Sequence, residues 1–239
     1  MAKKYMPIPA DNIDTAEKRK FDALAADWWD ETGRFKALHD INPVRLDYIE
    51  QRAGLVGKVV LDVGCGGGLL TEAMAGRGAR VTGIDVSEEM LAVARRHAAG
   101  LPIEYACTSP ERHVELHRNE YDVVTCLEML EHVPDPASVV RACADLLKPG
   151  GHAIFSTLNR TLAAYLCAII GAEYLLRILP PGTHHYANFI RPSELARWCR
   201  DNGLAVRDIR GMAYLPLAGR AWLTSRPTVN YLLHACREP

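Results

Sequence analysis

Short apolar runs alternate with amphipathic stretches through the middle of the chain. Runs at residues 58–63, 80–85, 103–107, 121–127 and 152–157 have the length and β-branched content of strands. The stretches at 69–77, 88–97 and 137–147 have helical spacing. This alternation predicts a parallel sheet with helices on both faces. The fourth run, Tyr121-Asp122-Val123-Val124-Thr125-Cys126-Leu127, is apolar at its centre, as a strand covered on both faces should be. Two late runs, 204–210 and 229–235, end the chain on a strand pair and predict an antiparallel edge. The expected fold is therefore α/β, a seven-stranded and mostly parallel sheet with an antiparallel edge strand, in one domain over residues 1–239.

Decorations flank that pattern. Residues 1–14 are proline-rich and predict a flexible N-terminus with no apolar stretch long enough for a signal sequence. Residues 15–29 place Phe21, Leu24, Ala25, Trp28 and Trp29 on one helical face, and packing over the domain is favoured over substrate contact for the tryptophans. Asn42 and Pro43 read as the cap and first residue of a helix running towards Arg52. Arg45 would then sit in a first turn, where the helix dipole disfavours a cation by a few tenths of a kcal/mol. Either a ligand carboxylate or a bridge to Asp47 or Glu50 would explain it. Residues 162–179 are almost wholly apolar, interrupted by Glu173 and Arg177. That is short and too charged for a span of about 20 residues. It predicts a helix over the site or in a membrane surface, with a buried core helix as the alternative.

Composition narrows the function. A net charge of −1 without a basic stripe argues against nucleic acid as a partner. The seven cysteines, at 65, 107, 126, 143, 167, 199 and 236, are odd in number and include no C-x-x-C pair. They suggest neither a disulfide framework nor a zinc site, and read as reduced thiols of a cytoplasmic protein.

Candidate chemistry begins where the first strand ends, in Gly64-Cys65-Gly66-Gly67-Gly68. A strand, a glycine turn and a helix N-terminus cradle nucleotide-like ligands. Asp85 closes the second strand 21 residues after Gly64, the place of a ribose-binding acid. A dinucleotide site wants a small residue where Leu69 stands, and Asp62 would repel a pyrophosphate. Asp62 suits a ligand that carries an ammonium and a sulfonium, such as S-adenosylmethionine. Ligands of open α/β sheets bind beyond the strand carboxyl ends, so Gly64, Gly66, Asp85, Leu127 and Glu128 should converge on one crevice. The acid often found directly after the third strand is missing. Glu111 is the nearest carboxylate, and the adenine contact stays unassigned. Glu128, Glu131 and His132 stand at i, i+3 and i+4, so on a helical turn they would share a face. Together they make a ligand set for Mg²⁺, Mn²⁺ or Zn²⁺. Alternatively, the glutamates complement a helix N-terminus and His132 bonds within its loop.

Leu61-Asp62-Val63-Gly64-Cys65-Gly66-Gly67-Gly68 with Asp85 resembles the class I S-adenosylmethionine-dependent methyltransferases, whose fold is Rossmann-like. Five further segments closely resemble the bacterial ubiquinone-biosynthesis O-methyltransferases. They are Ala26-Asp27-Trp28-Trp29-Asp30, Leu38-His39-Asp40-Ile41-Asn42-Pro43-Val44-Arg45, residues 125–136, Phe155-Ser156-Thr157-Leu158-Asn159-Arg160 and Gly171-Ala172-Glu173-Tyr174. The resemblance runs from about residue 14 to residue 234. It implies methylation of ring hydroxyls of a polyprenyl-hydroxyphenol (catechol) and of 3-demethylubiquinol, by an enzyme on the cytoplasmic face of the membrane, with other ubiquinone-biosynthesis enzymes as possible partners. By matching position, Arg45, Gly64, Asp85 and Leu127 would contact the cofactor. Glu128, Glu131 and His132 match the metal site of the related eukaryotic enzymes, which implies Mg²⁺ or another divalent cation. Residues 161–185 match a membrane-contacting insertion. His184 fits the family's Gly-Thr-His, whereas His185 and Tyr186 depart from it. Such chemistry must deprotonate a phenol, ionised in only about one molecule in a thousand at pH 7. The deficit is roughly 4 kcal/mol, which a cation or a positioned base such as His132 could supply.

Overall fold

The structure is a computed structural model and describes residues 12–166 and 186–238. In chain order the elements are α1 (Thr15–Leu24), α2 (Lys36–Ala53), β1 (Val59–Val63), α3 (Leu69–Gly76), β2 (Arg80–Asp85), α4 (Glu88–His97), β3 (Ile103–Cys107), α5 (Pro110–His117), β4 (Tyr121–Leu127) and α6 (Pro136–Leu146). There follow β5 (Leu147–Leu158), the single turn α7 (Leu162–Ala164), α8 (Pro192–Asp201), β6 (Leu204–Leu215), β7 (Arg220–Thr224) and β8 (Asn230–Arg237). They build one sheet in the order β3-β2-β1-β4-β5-β8-β6-β7. The first five strands are parallel, and β8 then pairs antiparallel with β5, β6 with β8, and β7 with β6.

Strand alternation divides the core between the two faces of the sheet. Val60, Val81, Val123, Ile154 and Leu232 pack with Leu46, Tyr48 and Ile49 of α2 and Leu70 and Met74 of α3. Leu61, Ile84, Val124, Phe155 and Leu233 face Val114 of α5, Val139 and Val140 of α6, and Leu195 of α8. Both faces are therefore covered, which is the environment that the apolar centre of β4 requires.

Four local expectations give way to tertiary packing. Residues 220–224 add an eighth strand at the edge, where a half-exposed five-residue strand leaves a weak alternation signal. β5 starts at Leu147, because Tyr121 pairs with Leu147 before a register shift carries the ladder past Gly150 and Gly151. α1 stops at Leu24, and a 3-10 turn over Ala25–Asp27 takes Trp28 and Trp29 off the helix. Finally, α2 begins at Lys36 and runs through Pro43. Pro43 removes one helical hydrogen bond, yet the buried face of Ile41, Leu46, Tyr48 and Ile49 holds the helix across it. Asn42 is thus no cap; it is buried, and its side-chain amide donates to the Leu69 carbonyl at 3.3 Å. Arg45 sits in mid-helix, so the dipole penalty expected there does not operate.

Six cysteines, all but Cys167, fall among the described residues and all six are free thiols. Most of the segment 161–185, including His184 and His185, lies outside the described residues, as do residues 1–11. Among the described residues, no helix is long and apolar enough to cross a membrane.

Candidate functional site

The glycine turn is built as its composition demands. Gly64 (φ 68°) and Gly66 (φ 55°) occupy the left-handed region that glycine enters without strain. The Gly64 and Cys65 amides donate to the Ile84 carbonyl at 2.8 and 3.0 Å, tying the turn to β2. The Gly66 amide donates to Asp85 Oδ2 at 2.9 Å, and the Ser87 amide to Oδ1 at 2.8 Å. A Cβ on Gly66 would stand 2.5 Å from the Trp28 ring, so side chains at this turn would exclude the indole. Trp29 donates from Nε1 to the Gly67 carbonyl at 3.0 Å and stacks on His97 with ring centroids 3.4 Å apart.

Beyond the turn lies a cavity of about 290 Å³. It brings together Arg45, Asp62, Gly64, Gly66, Asp85, Leu127, Glu128, Glu131 and His132, all the site residues expected from sequence. Asp62 is buried, and the hydroxyls of Thr71 and Thr125 donate to its two oxygens at 2.7 Å each. Burial pushes its carboxyl up to about 6 against the pull of those hydroxyls, and the nearby Asp85 adds to the rise. Asp85 is also pushed up by burial, which its backbone donors oppose.

Arg45 points its Nη2 at Glu128 Oε1, 2.5 Å away, and its buried Nε has no hydrogen-bond partner. Neither expected neighbour holds it: Asp47 pairs with Arg77 at 3.0 Å. Glu128 has a left-handed φ of 52°, and the 3-10 turn Leu130–His132 follows it. Glu128, Glu131 and His132 therefore do not share one helical turn. Glu128 Oε1 also accepts from Ser156 Oγ at 2.7 Å and from Asn230 Nδ2 at 2.8 Å. Glu131 is buried, accepts from Thr157 Oγ1 at 2.9 Å, and is pushed up to about 7 by burial and by the charge of Glu128. His132 Nδ1 meets Glu17 Oε2 at 2.9 Å. Burial lowers the imidazole's affinity for a proton, but hydrogen bonding to Glu17 and the charges of Glu131, Glu17 and Glu128 outweigh it and the net shift is upward. The same hydrogen bond is the largest influence on Glu17 and holds it down at about 2. Among the described residues, these three side chains do not gather their donor atoms within 4.8 Å of one another.

Helix α1 closes one wall. Besides Glu17 on His132, Asp22 accepts from Ser87 Oγ at 2.5 Å, and Asn12 clamps Asp135 through the Asp135 amide (2.8 Å) and carbonyl (2.9 Å). Asn12 also occupies Glu111 at 2.9 Å, and Thr108, Ser109 and Pro110 line the cavity beside it. Sequence spacing could not show Glu17, Thr71 or Asn230 as parts of the site. Thr125, Ser156 and Thr157 did carry a signal, as polar residues in otherwise apolar buried strands. Trp28, read from its spacing as packing, both packs on the glycine turn and lines the cavity.

Residues 38–209 match the family described as Methyltransferase domain. The chain is 57% identical over 226 residues to a ubiquinone biosynthesis O-methyltransferase of Aromatoleum aromaticum, covering 94% of this chain and 97% of that protein. A ubiquinone biosynthesis O-methyltransferase of Pseudomonas aeruginosa strain UCBPP-PA14 is 56% identical over 229 residues, covering 95% and 99%. Among solved structures, magnesium protoporphyrin IX methyltransferase of Synechocystis PCC 6803 with bound S-adenosylmethionine superposes with a TM-score of 0.63. It is 19% identical and the match covers 96% of this chain and all of that one, so it speaks for the fold alone. With its sheet, its glycine turn and near-complete alignment to such relatives, the chain belongs to the ubiquinone-biosynthesis O-methyltransferases of the class I methyltransferase fold.

Proposed function

We propose that the cavity holds S-adenosylmethionine against a ring hydroxyl of a polyprenyl phenol or quinol, and that the chain catalyses O-methylation in ubiquinone biosynthesis. The observation that carries this reading is the convergence of Asp62, Asp85 and the glycine turn on one cavity that also contains a carboxyl titrating near neutrality, Glu131. Asp85 would accept from the ribose hydroxyls, Asp62 would face the ammonium, and the unpartnered Nε of Arg45 would donate to the ligand carboxylate. Gly64, Gly66 and Leu127 would line the adenosyl path. Bound there, S-adenosylmethionine supplies a methyl group on a positively charged sulfur.

Glu131 is the group we assign to receive the phenol proton, since a base titrating near 7 suits work at neutral pH. His132, biased towards its protonated form by Glu17, would steady the negative charge that develops on the acceptor oxygen. Transfer would move the methyl carbon from sulfur to the acceptor oxygen and release a neutral thioether, with Glu131 taking the phenol proton. Alignment of donor and acceptor can contribute roughly 7 to 11 kcal/mol in favourable cases. A divalent cation at Glu128, Glu131 and His132 does not fit the arrangement. Glu128 Oε1 already takes three donors, including a guanidinium, and His132 is spent on Glu17. No step is routed through Mg²⁺. The test is transfer of labelled methyl to 3-demethylubiquinol with and without chelator: product should form in both. Absence of product with metal present would refute the reading, and dependence on added metal would remove Glu131 as the base.

Cofactor affinity should follow the ionisation of Asp62. With its carboxyl near 6, about a tenth of the protein carries the charge at pH 5 and about nine tenths at pH 7, where the ligand's ammonium keeps its proton. Affinity should rise about tenfold across that interval, and Asp62→Asn should flatten the profile; calorimetry at the two pH values decides. The sign for folding is opposite. Because the folded value lies above the ordinary 3.8, the contribution of Asp62 to stability is present below pH 4 and is lost as pH rises through 6.

We further assign residues 161–185 to the membrane surface, on the cytoplasmic side where other enzymes of the pathway would meet the substrate. The support is apolar exposure where the segment begins: Leu162 is 70% and Leu166 48% exposed. Deleting 161–185 should abolish co-sedimentation with liposomes and spare cofactor binding, and sedimentation that survives the deletion would place the contact elsewhere.

A further inference from the structure

A second cluster of potential ligands sits on β5 and β8, away from the cavity. His152 faces Cys236 directly across the antiparallel pair, and His234 lies two residues back on β8, opposite Ile154. All three side chains share the sheet face that carries Ile154 and Leu232 beneath α2. His152 Nδ1 and His234 Nε2 are 2.9 Å apart, and Cys236 Sγ stands 3.6 Å from each nitrogen. Among the described residues this is the one group of three such side chains whose donor atoms lie within 4.8 Å of one another.

We propose that His152, His234 and Cys236 form a zinc site that clamps β5 to β8. Zinc bonds of about 2.3 Å to sulfur and 2.0–2.1 Å to nitrogen place tetrahedral ligands about 3.5–3.6 Å apart for a sulfur–nitrogen edge and about 3.3 Å for a nitrogen–nitrogen edge. Both sulfur–nitrogen edges match as they stand. The nitrogen pair needs to open by a few tenths of an ångström from what is, without an ion, a hydrogen bond between the rings. Two imidazoles and a thiolate suit zinc rather than a hard cation such as Mg²⁺. The thiolate offsets one charge of the ion, and its proton leaves to solvent on binding. His234 is buried while His152 and Cys236 are half-buried, so the ion can enter from solvent. His152 lies four residues before Ser156, which pairs with the cavity-lining Leu127, so it stands about 13 Å along β5 from the cavity rim. The clamp therefore falls at the seam where the sheet turns from parallel to antiparallel, and a role in holding that seam follows.

Cobalt(II) titrated into the chelator-stripped full chain should give one equivalent of a tetrahedral spectrum with a thiolate-to-metal charge-transfer band, displaced by zinc. That band should vanish in Cys236→Ser, persist in Cys107→Ser, and require at least tenfold more cobalt in His152→Ala. The glutamates and histidine of the cavity contain no sulfur, so a spectrum without the charge-transfer band would overturn the assignment. A band that survives in Cys236→Ser would do the same. Should Cys236→Ser lose its fold by circular dichroism, the His152→Ala titration decides instead, and unchanged cobalt affinity there would be fatal.

Discussion

Replacing Glu128 with alanine should lower the stability of the chain by about 3 kcal/mol. The Arg45 side chain is only 7% exposed and Glu128 20%, and their contact is 2.5 Å. Removing one member of a buried ion pair typically costs about 3–5 kcal/mol because the other charge stays behind. The partial exposure of Glu128 puts the expected loss at the lower end. Ser156 and Asn230 lose their acceptor in the same substitution. Glu128→Gln keeps an acceptor for both and removes only the charge, so it should fall between alanine and the parent. Urea unfolding measures this as a shift of midpoint at constant slope. Equal midpoints for Glu128→Ala and the parent would show that Arg45 finds solvent or another anion.

Asp85→Ala should weaken S-adenosylmethionine binding by about 2–4 kcal/mol, roughly 30- to 1,000-fold, as charge-assisted bonds to two ribose hydroxyls disappear. Asp85 Oδ2 also holds the glycine turn through the Gly66 amide, while Oδ1 accepts from the Ser87 amide at the start of the next helix. Alanine therefore removes a ligand contact and a support of the turn together. Asp85→Asn separates them, since its remaining carbonyl oxygen can still accept one amide; it should bind more tightly than alanine and more weakly than the parent. Calorimetry provides the affinities. Unchanged affinity in Asp85→Ala would dismiss Asp85 as the ribose acid.

The path through the cavity connects these two substitutions. Asp85 and Asp62 end or line neighbouring parallel strands at the same rim, and Glu128 begins the loop at the end of β4. The carboxyl ends of β1, β2 and β4 thus each deliver one acid to the crevice, as open α/β sheets do at their strand termini. Glu17, from α1, is the exception. It reaches His132 from 115 residues away in sequence. That contact favours the protonated imidazole, while Glu131 is pushed up by its burial and by the charge of Glu128.

Several of these placements were open to a reader of the sequence. The apolar runs marked five strands, and the bounds of β1, β2 and β4 agree to within a residue, since interior strands covered on both faces demand continuous apolar stretches. The spacing from Gly64 to Asp85 placed both at one cavity, since a βαβ unit sets the distance between its two strand ends. Pro43 misled because a local breaker was weighed without the core that α2 packs against. The short edge strand Arg220–Thr224 escaped for a related reason, as its place depends on a neighbour, β6, more than on its own residues.

What the amino-acid order determined by itself was the strand periodicity, the glycine turn and the acid at the end of β2. What only the tertiary structure decided was which distant groups became partners. Arg45 found Glu128, His132 found Glu17, and His152 met His234 and Cys236 across β5 and β8. A charge or a ligand atom takes its role from whatever lies within about 4 Å of it, and chain separation carries no information about that distance once the sheet has brought remote strands side by side.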